Sequence, residues 1–236
     1  MSILVLGATG KTGMHAVEQL LKQNAEVKAL VRNADKLSFL KSNPNLHILT
    51  GNVLNMNQEQ LKEVLTGVET VISCLGHNLN LLGIYGKPHY LVRDSIKKIL
   101  EAGKTTGVKK FILMNTTGCI NVKEGETYTK AEKTAMKVMT ALLPPQQDNE
   151  RALAFLMQNY PQEKGGIEWT AVRPDTLIQD TAVSPYSVHK TVQRSPIFNS
   201  GKVSRINVGN FISKLALDKD LWNTWKYKTP VLYNEE

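Results

Sequence analysis

The 236-residue sequence is poor in cysteine, in aromatic side chains and in long apolar runs. Its two cysteines, Cys74 and Cys119, belong to no CxxC pair and to no set with metal-ligand spacing, which argues against a disulfide scaffold or a metal site. No apolar run reaches the roughly 20 residues that a membrane-spanning helix needs, and the N-terminal layout is not that of a signal peptide. We therefore expect a cytoplasmic protein that does not use a membrane.

Basic residues outnumber acidic ones: the sequence has 29 lysines and arginines and 21 aspartates and glutamates, which gives a net charge of +8. The lysines are scattered along the chain, and none belongs to a recognised nucleic-acid-binding motif. A basic balance of this kind also suits an anionic small molecule such as a phosphorylated cofactor. We therefore expect a small-molecule partner and regard nucleic acid as a poor fit.

A glycine-punctuated segment follows the first apolar run, Ile3 to Leu6, which is typical of a parallel strand covered on both faces. Gly7 permits a tight turn, Gly10 lets the backbone approach a pyrophosphate, and Gly13 allows the next helix to pack closely on the sheet. The free N–H groups and positive dipole end of that helix would face the phosphates. The alternative is a purely structural turn. The predicted pyrophosphate contacts are Gly7, Thr9, Gly10, Lys11, Thr12 and Gly13.

The second strand, Glu26 to Val31, ends next to Arg32, where an NAD-preferring site would carry an acidic side chain. A guanidinium can bind a 2′-phosphate through two parallel hydrogen bonds, whereas an acid would repel it. This predicts NADP(H) as the cofactor. Asp35 is near enough to compete for the role, and Arg32 pointing to solvent is the alternative.

The fourth strand ends at Leu75 and Gly76, which we expect to lie along the cofactor because ligands sit at the carboxyl ends of parallel strands. His77 follows directly. A histidine can donate a proton near neutral pH, but the sequence gives His77 no partner. A loop histidine without a catalytic role is therefore the favoured interpretation.

Three motifs together resemble the atypical short-chain dehydrogenases, in the NmrA-like and biliverdin-IXβ/flavin-reductase-like group. They are GATGKTG at 7–13, NTTG at 115–118 and WTAVRP at 169–174, and they span most of the chain. The resemblance implies that Asn52 and Val53 lie against the adenine and that Pro174 borders the nicotinamide. It also implies that Thr116 contacts the reacting group, where a hydroxyl can donate to developing negative charge. Alternatively, both threonines satisfy backbone groups at a strand end.

The same resemblance implies an α/β fold, a Rossmann-like, doubly wound and mostly parallel sheet with helices on both faces. The length suits one domain, residues 1–236, in which residues from about 175 to 236 form a small substrate cap. Acceptor recognition is expected in the polar segment 180–202, which shows little periodicity and is predicted to lack regular structure. The candidate side chains there are Tyr186, His189, Lys190 and Arg194. The resemblance also implies a short return strand over Val203–Val208.

The catalytic pair of the alcohol-oxidising relatives is missing. Those enzymes place a lysine four residues after a tyrosine to lower the pKa of the phenol. Here Glu132 stands at that distance from Tyr128. Flavins and quinones need little proton help because the product anion is delocalised, so positioning can supply most of the catalysis. The sequence therefore predicts an NADPH-dependent reductase of a flavin- or quinone-like acceptor. The alternative is a non-catalytic NADP(H) sensor that binds a partner protein.

Overall fold

The computed structural model describes residues 2–78 and 80–235. Met1, Leu79 and Glu236 lie outside the described residues, although the predicted domain includes all three. The strands are β1 (Ser2–Leu6), β2 (Glu26–Val31), β3 (Leu46–Thr50), β4 (Val68–Ser73), β5 (Lys110–Met114), β6 (Glu168–Pro174), β7 (Thr176–Ile178), β8 (Tyr186–His189), β9 (Lys202–Ser204) and β10 (Val231–Asn234). The helices are α1 (Lys11–Lys22), α2 (Gln58–Leu65), α3 (Leu81–Tyr85), α4 (Leu91–Gly103), α5 (Lys130–Leu142), α6 (Pro144–Asn159), α7 (Arg205–Leu217) and α8 (Lys219–Trp225).

Eight strands form one sheet in the order β3-β2-β1-β4-β5-β6-β10-β8. All neighbouring pairs run parallel except β10 and β8, which are antiparallel. The chain reverses its direction of winding between β1 and β4, and this topological switch point opens a crevice at the carboxyl ends of those strands. The prediction of a doubly wound, mostly parallel sheet is confirmed.

The sheet is buried on both faces because successive side chains of a strand point to opposite sides. In β1, Leu4 and Leu6 join a core with α2, α4 and α6, whereas Ile3 and Val5 join a second core with α1 and α7. An apolar run in the sequence therefore becomes a strand with two covered faces. None of the helices in residues 2–78 and 80–235 is both long and apolar enough to cross a lipid bilayer.

The C-terminal third departs from the sequence-based prediction. A return strand was expected over Val203–Val208, but β9 ends at Ser204 because its hydroxyl accepts a hydrogen bond from the Asn207 N–H and caps α7. The segment 180–202, predicted to lack regular structure, contains β8. The short elements β7 and α8 were not predicted either.

A buried ion pair ties the end of β6 to the β5–α5 connection. Arg173 donates two hydrogen bonds to the Glu126 carboxylate, at 2.7 and 2.8 Å, and is itself fully buried. Glu126 also accepts from the N–H groups of Asn121 and Val192. Arg173, which belongs to the WTAVRP motif, is therefore an ion-pairing residue.

The carboxylate of Glu126 stabilises the fold in a pH-dependent way. Burial alone would raise its pKa, but the hydrogen bonds from Arg173, Asn121 and Val192 lower that pKa overall. A lowered pKa in the folded state means stability that is fully present above the pKa of an unfolded glutamate, about 4.3. This contribution is lost as the pH falls through the lower folded-state pKa.

We expect Glu126→Gln to lower the free energy of unfolding at pH 7 by about 3–5 kcal/mol, because it leaves Arg173 buried without a counter-charge. Urea denaturation measures the change. The control is Glu124→Gln, which breaks the pair between Glu124 and the exposed Lys190 and should cost at most about 1 kcal/mol. Equal losses in the two variants would contradict this account of Glu126.

Candidate functional site

The glycine turn brings β1, α1 and the end of β4 into close contact. Gly7 has a φ of +73°, and a Cβ added to it would lie 2.5 Å from the carbonyl oxygen of Cys74. A Cβ on Gly13 would overlap the carbonyl oxygen of Gly7. Gly10, at the N-cap of α1, is exposed and donates its N–H to the Gly7 carbonyl at 2.9 Å. The turn therefore leaves the N-terminus of α1 open at the switch-point crevice.

The first turn of α1 is suited to an anion. It contains no acidic residue, Lys11 is exposed, and Thr9 is half-buried at the approach to the helix. Thr12, also in the first turn, is buried. Unpaired N–H groups at a helix N-terminus favour phosphate. The pyrophosphate contacts predicted from the sequence thus lie together in space.

Arg32 lies beside this turn, two residues beyond Leu30, which is paired with Leu6 across the β1–β2 ladder. Its side chain is exposed and makes no hydrogen bond or ion pair with any residue that the structure describes. The neighbouring Asn33 accepts from the Asp35 N–H and caps the short 3₁₀ helix Ala34–Leu40. The guanidinium therefore remains available to a ligand at this end of β2.

Asn52 and Val53 follow β3 on the adenine side predicted for the crevice. The Asn52 Oδ1 accepts a hydrogen bond from the Leu54 N–H at 3.1 Å, which leaves the amide nitrogen to donate. Val53 is 5% exposed and packs in the core with α2 and α4, so only its backbone could reach a cofactor. Leu75 is half-buried and Gly76 exposed at the end of β4.

The β5–α5 connection places Thr116 next to the end of β6. The Thr117 N–H donates to the Pro174 carbonyl at 3.3 Å, and this bond brings the two predicted nicotinamide-side segments together. The Thr116 Oγ1 accepts from the Gly118 N–H at 3.2 Å, while its hydroxyl proton remains available. Pro174 is buried. Asn115 fixes the connection by donating from its side-chain amide to the Asn149 carbonyl.

Tyr128 is held against the backbone and away from the lysines near it in sequence. Its hydroxyl donates to the Gly118 carbonyl at 2.8 Å, and burial raises its pKa well above the ordinary value. Lys130 and Lys133 are exposed, and Glu132 caps α5 by accepting from Thr129. In this arrangement Tyr128 is a weak acid.

His77 has two partners that the sequence could not indicate. Its Nε2 lies 2.8 Å from the Oδ2 of Asp148, and its Nδ1 lies 3.0 Å from the Gly83 carbonyl oxygen. Asp148 lies on the buried face of α6 and is 71 residues away in the chain, so no local pattern could reveal the contact. The hydrogen bond with Asp148 raises the pKa of His77, against the opposing effect of burial.

The C-terminal segment that was predicted to form the cap contains a cavity of about 560 Å³ between β8, β10 and the residues that precede β9. His189 and Arg194, two of the four residues predicted for acceptor recognition, line it together with Lys202 and Tyr233. The other two are engaged elsewhere, since the Tyr186 hydroxyl donates to Asn210 and Lys190 pairs with Glu124. Acceptor recognition by this segment stays a prediction, and the sequence could not show which side chains face the cavity.

Comparison with known proteins identifies the family of this chain. The model of the NAD(P)H-binding family matches residues 7–219. An uncharacterised chloroplastic protein of Arabidopsis thaliana is 26% identical over 219 residues, which are 92% of this chain and 72% of that protein. The divinyl chlorophyllide a 8-vinyl-reductase of the same plant is 23% identical over 238 residues, or 94% of this chain. Our chain spans about half of the reductase, 52% of its length.

Solved structures share the fold at low sequence identity. An anaerobillin reductase from Escherichia coli O157:H7 superposes with a TM-score of 0.70 at 17% identity, covering 100% of this chain and 98% of that one. A short-chain dehydrogenase/reductase from Veillonella parvula, solved in complex with NADP, gives 0.72 at 15% identity, covering 99% and 94%. At these identities the likenesses show a shared fold. The chain belongs to the NAD(P)H-binding family.

Proposed function

We propose that this protein is an NADPH-dependent reductase that transfers hydride to a conjugated acceptor of the flavin or quinone type. The observation that carries the cofactor choice is Arg32, an exposed guanidinium beside the glycine turn with no partner among the described residues. A 2′-phosphate there would accept charge-assisted hydrogen bonds in the bidentate geometry that arginine favours. Lys11 and Lys36 are also exposed near this position and add to the positive potential.

The proposed class of acceptor follows from which hydroxyl groups of the site can donate a proton or a hydrogen bond to it. Tyr128 is bonded to the Gly118 carbonyl and has no lysine to lower its pKa, so it is unsuited to protonating an alkoxide. Thr116 keeps a hydroxyl proton that can be donated to an acceptor oxygen or nitrogen. One neutral donor suffices for an acceptor whose product anion is delocalised over a ring.

Bound NADPH would supply the hydride, and the single proton that completes the reduced acceptor would come from solvent. The chain's own contribution is to hold the reactants. Gly7 to Gly13 would bind the pyrophosphate, Arg32 the 2′-phosphate, and Thr116 the acceptor's polar edge. Positioning of this kind accounts for a large part of the rate enhancement in many two-substrate reactions.

The acceptor would lie between Thr116 and the cap. A short series of hydrogen bonds connects them: the Thr117 N–H donates to Pro174, and the adjoining Asp175 accepts from the Gly201 N–H at 3.0 Å. Gly201 precedes Lys202 in the wall of the cap cavity. This arrangement makes His189, Arg194 and Lys202 the candidate contacts for polar groups of the acceptor that extend away from its ring.

The cofactor preference predicts the behaviour of Arg32→Ala. We expect its Kd for NADPH to rise about 10- to 100-fold, the value of hydrogen bonds to a charged group, and its Kd for NADH to stay unchanged. Fluorescence titration of both nucleotides measures this. Lys22→Ala, which removes an exposed charge from the last turn of α1, is the matched control and should leave both constants unchanged. An equal loss of NADPH and NADH affinity in Arg32→Ala would refute the assigned role.

The role of Thr116 predicts a loss of rate without a loss of cofactor affinity. Thr116→Val should lower kcat/KM for a flavin or quinone about 10- to 100-fold, because a donor to developing negative charge is removed. Thr116→Ser, which keeps the hydroxyl, should recover most of the rate. Thr117→Val, a substitution at the buried neighbour, should leave kcat unchanged. If Thr116→Val and Thr117→Val behave alike, the hydroxyl has no part in the reaction.

The second hypothesis for the function of this crevice is a non-catalytic NADP(H) sensor. Tight NADPH binding without oxidation by any flavin or quinone would support the sensor and overturn the reductase proposal.

A further inference from the structure

His77 is enclosed by two hydrogen-bond acceptors. One is the carbonyl oxygen of Gly83, at 3.0 Å from Nδ1, and the other is the Asp148 carboxylate, at 2.8 Å from Nε2. A carbonyl oxygen can only accept, so Nδ1 must carry a proton. The imidazole side chain is 5% exposed, which leaves water little access to either nitrogen.

Asp148 is already serving as an acceptor before His77 is considered. It is completely buried at the N-terminus of α4, where its Oδ2 accepts from the Val92 N–H at 2.7 Å and its Oδ1 from the Arg93 N–H at 3.0 Å. Backbone donors and the positive end of a helix both favour the ionised carboxylate. Nε2 therefore also donates, and the geometry fits a doubly protonated imidazolium.

No other charged side chain competes for His77 in the described surroundings. From α4, the Arg93 guanidinium pairs with Asp94 and lies over the Tyr90 ring. From α6, Arg151 is exposed and lies over the same ring. The remaining ionisable side chains between residues 80 and 90 are exposed or half-buried, namely Tyr85, Lys87, His89 and Tyr90.

The His77–Asp148 pair lies next to the segment 80–86, which follows β4 and forms one wall of the crevice. His77 follows Gly76 at the end of β4, and Gly83 belongs to α3, a helix that buries none of its five residues. α3 therefore has little packing of its own, and the bond from His77 to Gly83 is a specific anchor for the segment 80–86. The next residue of α6, Asn149, accepts from Asn115 beside Thr116. One turn of α6 thus fixes the connections after both β4 and β5.

We propose that His77 is a positioning residue whose imidazolium pins the segment 80–86 to Asp148 and thereby holds one wall of the acceptor crevice. Loss of the proton forces the ring to give up one of its two hydrogen bonds, which releases either Gly83 or Asp148. The role in acceptor binding rests on the proposed reductase function, whereas the pinning of the segment does not.

The direction of the pH effect follows from the geometry. The pKa of His77 is raised above its ordinary value of 6.5, by the hydrogen bond with Asp148 first and against burial. The pinned arrangement is thus fully populated below pH 6.5 and is lost as the pH rises through the higher pKa of the folded protein. Below pH 6.5 the population of the pinned arrangement should not change with pH until other groups titrate.

The pinning is tested without reference to catalysis. Ring ¹⁵N NMR of histidine-labelled protein should show His77, assigned by its absence in His77→Gln, as an imidazolium at pH 6 that titrates above pH 6.5. Chymotrypsin should cut at the exposed Leu81, Leu82 and Tyr85 about 10- to 100-fold faster once His77 is neutral, the factor expected from losing a charge-assisted hydrogen bond. Rates are normalised to cleavage of a small peptide at each pH.

The matched variants separate the proposal from general effects of pH. His77→Gln should make the normalised cutting rate independent of pH, while His89→Gln, a substitution at an exposed histidine of the same segment, should follow the wild type. A neutral His77 at pH 6, or equal pH dependence of cutting in wild type and His77→Gln, would overturn the proposal.

Steady-state kinetics then test the connection with the acceptor. In the wild type, KM for a flavin should rise with pH alongside the titration of His77 while the Kd for NADPH stays constant, and His77→Gln should lose that pH dependence. If KM for the flavin stays constant while His77 titrates, His77 has only a structural role and its proposed effect on acceptor binding is overturned. Absence of any turnover would instead overturn the reductase function, and the NMR and proteolysis results would still decide the pinning.

Discussion

The close contact between Gly7 and Gly13 is the constraint on which the rest of the structure depends. A side chain at Gly13 would overlap the Gly7 carbonyl, and one at Gly7 would meet the Cys74 backbone at the end of β4. Without this contact, α1 could not begin directly above the switch point between β1 and β4. The open N-terminus of α1, the exposed Arg32 and the strand-end segments after β4 and β5 are all arranged around the position that the contact creates.

Buried polar side chains then fix the loops around that position. Arg173 and Glu126 attach the β5–α5 connection to β6, and His77 and Asp148 attach the β4–α4 connection to α6. Each pair is nearly or fully enclosed, so its charges are compensated within the protein rather than by water. The crevice is therefore bounded by connections whose positions are set by ionic contacts, whereas the sheet beneath them is held by apolar packing.

The sequence was most informative where structure is determined locally. The strand, glycine turn and helix of residues 2–22 follow from short-range sterics and periodicity. The doubly wound sheet was implied by the resemblance to the atypical short-chain dehydrogenases. Prediction failed where contacts between residues distant in the sequence determine the local structure. His77 and Asp148 are 71 positions apart, and β8 exists because β10 provides a partner for a short polar segment. The residues after Ser204 form α7 rather than a strand. The Ser204 hydroxyl caps this helix, and the cap outweighs the strand tendency of Val203–Val208.

The central claim is that this crevice transfers hydride from NADPH to a conjugated ring. Its most direct test is a single-turnover experiment in which NADPH-loaded wild-type protein is mixed anaerobically with a panel of flavins and quinones. The account predicts loss of NADPH absorbance at about 340 nm with one equivalent of acceptor reduced, and slower kinetics when NADPH deuterated at the transferred position is used. Bound NADPH that remains unoxidised across the whole panel would contradict it.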